Sequence, residues 1–513
     1  MSEIAVAEPG TGLQNFLDRA GLRGFPWKTA TILYTISWGW LFIVRDSLWA
    51  HDWDEFAIPQ FAEFVKDDYG LAPWTLLEFD LFNAVGPSIF RYVTFVLFLG
   101  SSICVFGISG KVSFFNSAER KVLALLFLLL PFHTSRVALM VFKYTTAYFL
   151  FFTAWYLVVS FRHPAIKMIC AIIFFLSFQM HSLLFFYLLP VIHLFFLDHS
   201  TNWRLTLMWC KKNLLLLSLP IAYFVCRTIF WPETNGYHTL NFASLQDSFG
   251  FVVISVSLCW FIGLLAKKVK KDLKKSLGLI SLGFFTLFVG ILPYVLYGYF
   301  AKTQMSFPIS YLTTTFGRSN WNSRHLILQP LGSALVIIGV IESTLLTGIH
   351  IQRKILISVL SLCVVFNAGF GFEYVVDHVK QEKVITSLDL YGDNKDIEQI
   401  QFIDQTTLLN ARGQKMYPNS WSGLIWRAYG FESARRLRIE VSCETVTNSR
   451  LVLIQGPETH WQALKNWVSD GDMGFKVTVD DTPGACKPEM VTAEKVSGAI
   501  PILFYFTGAK TEN

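Results

Sequence analysis

Charge is scarce in this sequence. Of 513 residues only 16% are Asp, Glu, Lys or Arg, while 53% are hydrophobic and 48 are Phe. A soluble protein of ordinary surface-to-volume ratio cannot be covered by so little polar surface. Equally missing are a Walker A loop, the glycine fingerprint of a dinucleotide fold and a His-Glu-x-x-His pair. ATP-driven transport and intracellular nucleotide-sugar chemistry therefore lack support. The eight cysteines show no metal-site spacing. Cys104, Cys170, Cys210, Cys226, Cys259 and Cys363 lie in or beside apolar runs and read as small core residues. Cys443 and Cys486 alone fall in a polar tail, and an extracytoplasmic tail would let them pair as a disulfide. No cleavable signal peptide is expected, because residues 1–28 are polar and carry Pro9 and Gly10. The net charge of +6 needs no nucleic acid to explain it.

What the chain has is apolar runs of bilayer-spanning length and a mean hydropathy of +0.44. The first runs from Thr29 to Val44. Others follow near 86–108, 121–132, 137–160, 165–180, 183–197, 213–231, 249–266, 276–300, 326–349 and 355–371. The expectation is a polytopic α-helical membrane protein of about eleven spans. Runs that stop at Pro131 or Gln179 are short for the ~20 residues a span needs, as helices buried in a bundle or lining a cavity can be. Lys and Arg cluster in alternate loops: Lys111, Arg120 and Lys121; Arg162 and Lys167; Arg204, Lys211 and Lys212; Lys267 to Lys275; Arg353 and Lys354. By the positive-inside rule these loops are cytoplasmic. So is the leader 1–28, with Arg19, Arg23 and Lys28 before the first span.

The remaining loops then face outward, on the periplasmic side if the membrane is a bacterial inner one. From about Glu373 the composition turns polar and stays so. Val384 to Leu390, Ile397 to Ile403, Leu437 to Val441, Leu451 to Gln455 and Phe475 to Val479 read as strands, with a helix near Trp421 to Arg436. The division expected is a leader 1–28, a membrane domain 29–372 with an acidic outer loop 45–85, and a small C-terminal α/β domain 373–513. An odd number of spans puts that domain on the same side as the acidic loop. Within the loop, residues 56–65 space their apolar side chains at helical period and would lie flat on the membrane.

Candidate chemistry collects on the outward side. His51-Asp52-Trp53-Asp54-Glu55 follows the first span within a few residues, and carboxylates one residue apart can share an ion or divide base and support roles. Taken alone, the cluster also reads as a solvated helix end with an interfacial Trp. Arg45, Arg91, Arg136, Arg227, Arg318 and Arg324 lie near outer span ends, against the usual charge bias. Singly, each is a snorkelling side chain or an ion pair; together they suit a phosphate or pyrophosphate. His133, Arg136, Met140 and Lys143 would share one helical face, with Lys143 turned to a cavity or paired with Glu342. Residues 316–325 hold Arg318, Asn320, Trp321, Asn322, Arg324 and His325, donors for phosphate and a stacking face for sugar. His181, between two spans, reads as a satisfied buried histidine.

This layout resembles the GT-C superfamily of integral-membrane glycosyltransferases, which place an acidic motif directly after the first span, as His51 to Glu55 is placed here. In length and form it is similar to bacterial glucosyltransferases that decorate O-antigen, a part of lipopolysaccharide. It departs from the Asp-Glu pair of the protein mannosyltransferase branch by carrying Asp52-x-Asp54-Glu55, which leaves the division of roles among the carboxylates open. The resemblance implies a polyprenyl-phosphate-linked sugar donor and a hydroxyl acceptor on a surface glycan or lipid-linked oligosaccharide. Asp52 or Asp54, with Glu55 beside them, would act as base. Arg136, Lys143, Arg227, Arg318, Arg324 and His325 would hold the donor phosphate. His51, Trp53, Asp80, Asn320, Trp321 and Asn322 would contact sugar or acceptor. A divalent ion (Mg or Mn) at Asp52 and Asp54 is compatible with that chemistry but not required by it. The competing readings are a flippase or transporter for the same lipid-linked sugar, an O-antigen ligase or polymerase, and a receptor anchored by its spans. Polar clusters gathered on one side favour the enzyme over the transporter.

Overall fold

The computed structural model describes residues 22–49, 52, 70, 72–161, 163–198, 203–232, 271–296, 321–343, 349–406, 418–430, 433, 436–443, 448–457, 460–487 and 490, with isolated positions between 253 and 264. Fourteen helices are labelled among them. They are α1 (Trp27–Trp38), α2 (Leu76–Val85), α3 (Pro87–Ser109), α4 (Ser117–Leu129), α5 (Phe142–Ser160) and α6 (Pro164–Ser177). After these come α7 (Ser182–Asp198), α8 (Trp203–Lys212), α9 (Leu214–Phe230), α10 (Lys271–Leu296) and α11 (Gln329–Ser343). The last three are α12 (Ile349–Tyr391), α13 (Pro418–Tyr429) and α14 (His460–Asp470).

Local chemistry fixes several ends. Asn116 caps α4 by accepting the Glu119 N–H at 3.0 Å while the Glu119 carboxylate accepts the Asn116 N–H, so two orphan donors are satisfied reciprocally. Gly86 at φ +74° turns the chain into Pro87, whose fixed φ suits the first position of α3. Among the described residues three helices are long and apolar enough to cross a membrane: Pro87–Ser109, Leu273–Tyr294 and His350–Tyr391. The pair α8 and α9, bent by 59°, adds a fourth if it counts as one broken span. The shorter apolar helices α6, α7 and α11 accompany them, and the expected run 249–266 lies largely outside the described residues. Val96, Ile221, Phe224, Phe230, Ile357 and Leu362 turn large apolar side chains outward. So much exposed apolar surface is what a bilayer, not water, covers.

Small residues set the closest helix contact. α10 and α11 run antiparallel, with Gly283 against Gly332 and Val336, and the Ser276 hydroxyl bonded to the Gly339 carbonyl. A Cβ on Gly283 would lie 2.8 Å from the Gly332 carbonyl oxygen, inside van der Waals contact. Gly283→Ala should therefore push the pair apart and cost about 1–3 kcal/mol, read as a lower unfolding midpoint of the purified chain in detergent. At the far end of the same pair Lys275 joins Glu119 of α4 and lies 3.5 Å from Glu342. Glu342 thus pairs there and not with Lys143, correcting that expected partnership.

The C-terminal part is a four-stranded mixed sheet. Its strands are β1 (Gln399–Asp404), β2 (Arg438–Glu440), β3 (Ser449–Gln455) and β4 (Lys476–Asp480), in the order β2-β1-β3-β4. β1 is parallel to β2 and β3, and β4 is antiparallel to β3. Val384 to Leu390, expected as a strand, is instead the end of α12. Val384 and Leu388 are both fully buried at i, i+4 spacing, so the helical period wins over β-propensity. The 43-residue helix also carries straight through position 373, where composition changes without any break in the backbone. Cys443 and Cys486 form the disulfide, with Cα atoms 5.4 Å apart. Trp421 stacks on Phe402 at 4.4 Å inside this unit, and is core rather than a sugar platform.

Candidate functional site

Three segments meet at one end of the bundle: the stretch after α1, residues 131–141 between α4 and α5, and the turn 321–326 before α11. The Ser135 N–H donates to the Ser323 hydroxyl at 3.0 Å, and Thr134 bonds the same group. The sheet unit sits against this end. Leu48, Phe90, Leu139 and Phe142 share a core with Ile400, Phe402 and Trp421, and Gln381 donates to the Leu48 carbonyl at 3.1 Å. Arg427 reaches the Asp46 carbonyl at 3.3 Å and Glu382 at 3.1 Å. Residues 46–49 and the C-terminal unit therefore lie on the same end of the bundle.

Asp52 is the organiser of this junction. Its carboxylate is fully buried, accepting the Trp49 N–H at 2.9 Å on one oxygen and the Met140 N–H at 3.0 Å on the other. Arg91, also buried, stands 3.7 Å away and donates to the Ser47 carbonyl at 2.8 Å. Burial pushes the Asp52 acid up; Arg91 and the backbone donors pull it back. Both oxygens thus accept backbone N–H groups, and the carboxylate is closed off from solvent. The geometry gives Asp52 the task of holding 46–52 against 139–141. His51, Trp53, Asp54 and Glu55 lie outside the described residues, as do Arg318 and Asn320.

Residues 133–143 are not one helical face. Two short 3-10 turns, Thr134–Val137 and Leu139–Val141, flank Ala138 at ψ 135°. Arg136 consequently turns inward. Its guanidinium lies 3.8 Å from the ring centroids of both Trp38 and Phe98, and its Nε donates to the His133 carbonyl at 2.9 Å. Rings thus cover both faces of this buried cation, while its Nη1 keeps an N–H without a hydrogen-bond partner among the described residues.

Lys143 opens α5 on the other side of that turn. Glu78 of α2 lies within electrostatic reach of Lys143. One turn before it, Trp74 packs edge-on against Trp231 at 5.7 Å. Trp231 closes α9 by donating its N–H to the Arg227 carbonyl at 3.1 Å, and Tyr223 faces Arg227. Across from these, Tyr294 of α10 lies within electrostatic reach of Tyr144 and Arg324, and sets its ring 4.9 Å from His325. Two groups result: Trp74, Trp231 and Tyr223 beside Arg227, and Tyr294 beside Arg324 and His325. Trp321 and Asn322 belong to the same 3-10 turn as Arg324, and Asp80 is exposed on α2 beside Glu78. Basic groups with flat apolar faces between them can hold a phosphate while a sugar or prenyl chain packs on the rings.

No family model, curated protein or solved structure matches the chain.

Glu78 is the residue whose importance the sequence alone understates. It is half-buried, and desolvation raises its acid to about 8 although Lys143 opposes this. A carboxyl neutral at pH 7 donates a hydrogen bond instead of repelling an anion. Its only advance signal is the Trp74-x-x-x-Glu78 spacing on a short helix. The folded chain keeps a proton there that the unfolded chain loses above a pH of about 4.3. Stability should therefore fall as pH rises from that value to about 8. Glu78→Gln should flatten the slope, checked by comparing unfolding midpoints at about pH 5 and about pH 8.5.

Proposed function

We propose that this chain is a membrane glycosyltransferase of GT-C type, with about eleven spans, the shorter helices included. It moves a sugar from a polyprenyl-phosphate carrier to a hydroxyl of a surface glycan or lipid-linked oligosaccharide. The face used is the outer face of a bacterial inner membrane, where the C-terminal unit would be periplasmic. The observation that carries the reading is the set of cations beside acid and aromatic groups, Lys143 by Glu78, Arg227 by Tyr223 and Arg324 by Tyr294, with Asp52 bonded to the Met140 N–H just before Lys143.

In the reaction, a carboxylate of the acidic segment, Asp54 or Glu55, takes the proton of the acceptor hydroxyl. The acceptor oxygen bonds to the anomeric carbon as the bond from that carbon to the phosphate oxygen breaks. The electron pair leaves with polyprenyl phosphate, and the configuration inverts. Lys143, Arg227 and Arg324 meet the charge that grows on the phosphate, where fixed cations act most strongly. Protonated Glu78 supplies a neutral donor beside Lys143. Asp52, fully engaged by Arg91 and backbone N–H groups, positions the segment.

The test is release of polyprenyl phosphate from a polyprenyl-phosphate hexose by the purified chain in vesicles supplied with membrane glycan. Lys143→Gln and Arg324→Gln should each slow release about 10²–10³-fold. Donor that crosses the bilayer intact, with no release under any condition, would instead make the chain a carrier of that lipid.

A further inference from the structure

α14 is amphipathic twice over. Ala463 turns inward and packs with Val376, Met473 and Phe475, with Phe372, Val375 and Val379 around them. The opposite side carries large apolar groups into the open: Trp461 is 60% exposed, Trp467 53% and Val468 75%. At 100° per residue, Trp461, Leu464 and Val468 form one stripe, with Trp467 on one flank and the exposed Lys465 on the other. Gln462 and Ser469 occupy the polar side.

Position along α12 says what covers this stripe. The lipid-facing side chains of α12 include Ile357, Leu362 and Val365, all exposed. Charged residues resume at Glu373, and the α14 contact spans Phe372 to Val379, the first two turns beyond the apolar run. Val376 is thus about 6 Å past the hydrocarbon edge at Phe372, and the headgroup zone is about 5–8 Å deep. Lys383 pairs with Asp472 at 2.7 Å and ties the turn after α14 to α12, so the helix is held at this height. Tryptophan faces beside a lysine are the side chains that settle at headgroup level.

We propose that the outward stripe of α14 lies on the surface of the same bilayer that α12 enters, seated among anionic phospholipid headgroups. The stripe continues the lipid-facing side of α12 around the corner from span to surface. It pins the sheet unit to the membrane by Trp461, Leu464, Trp467 and Val468, and Lys465 meets lipid phosphate. This contact does not depend on the proposed sugar transfer.

The experiment uses the full chain in vesicles of phosphatidylglycerol and phosphatidylethanolamine, with a photoreactive benzophenone side chain introduced at Val468. A second variant carries the same group at Leu390, 82% exposed near the far end of α12 and about 21 Å further along the helix than Val376. Irradiation followed by intact-mass measurement should give a phospholipid adduct at 468 and none at 390. Both positions are exposed, so both variants should fold, which the intact Cys443–Cys486 disulfide checks. Equal lipid labelling at the two positions, no lipid adduct at 468, or cross-links only to a second protein chain would each overturn the proposal.

Discussion

Asp52→Asn is expected to destabilise the chain by about 3–5 kcal/mol, the cost of breaking a buried ion pair from one side. The carboxylate accepts N–H groups on both oxygens and faces Arg91 at 3.7 Å in a fully buried setting. An amide in its place turns an NH₂ group toward one of those donors and strands the Arg91 charge. Arg91→Met should be costly for the same reason, and the double variant should lose much less than the sum of the two. Unfolding midpoints of the four proteins in detergent measure this coupling. Wild-type stability in Asp52→Asn, with activity gone, would return Asp52 to the role of base and remove it as an anchor.

Asp54→Asn is expected to do the reverse. Removing a general base lowers turnover about 10²–10⁴-fold while leaving the fold alone. The measured pair is sugar-transfer rate and unfolding midpoint: the first should collapse and the second stay. Glu55→Gln provides the comparison, because the proposed reaction has one of the two carboxylates take the proton and the other support it. Full transfer in both variants would leave the acidic segment without a catalytic task.

Much of the architecture is legible in the residues because burial in lipid leaves long apolar stretches that nothing else explains. Pro87 and the Asn116–Glu119 box mark helix starts as capping chemistry requires. Four strand positions in the tail read correctly from β-branched alternation. Val384 to Leu390 does not, since its i, i+4 burial shows only once α12 has a partner to pack against. Single helices are read from their own period, but the site is made by side chains from five of them. Arg136 and Lys143 look equivalent as cations from spacing alone, yet one extended residue, Ala138, sends the first under Trp38 and the second toward Glu78. Asp52 and Asp54 likewise look interchangeable, and only the Met140 N–H and Arg91 give Asp52 a structural task.

The unbroken run of α12 makes one rod of membrane and sheet. Its 43 residues extend about 65 Å, so a tilt of about 5° carries its far end about 6 Å. Lipid thickness sets the tilt of such rods. Because Gln381 of the rod holds the Leu48 carbonyl, the stretch after α1 travels with it. Turnover compared in short-chain and long-chain lipids would then differ through the angle of a single helix, making the bilayer itself a dial on the reaction.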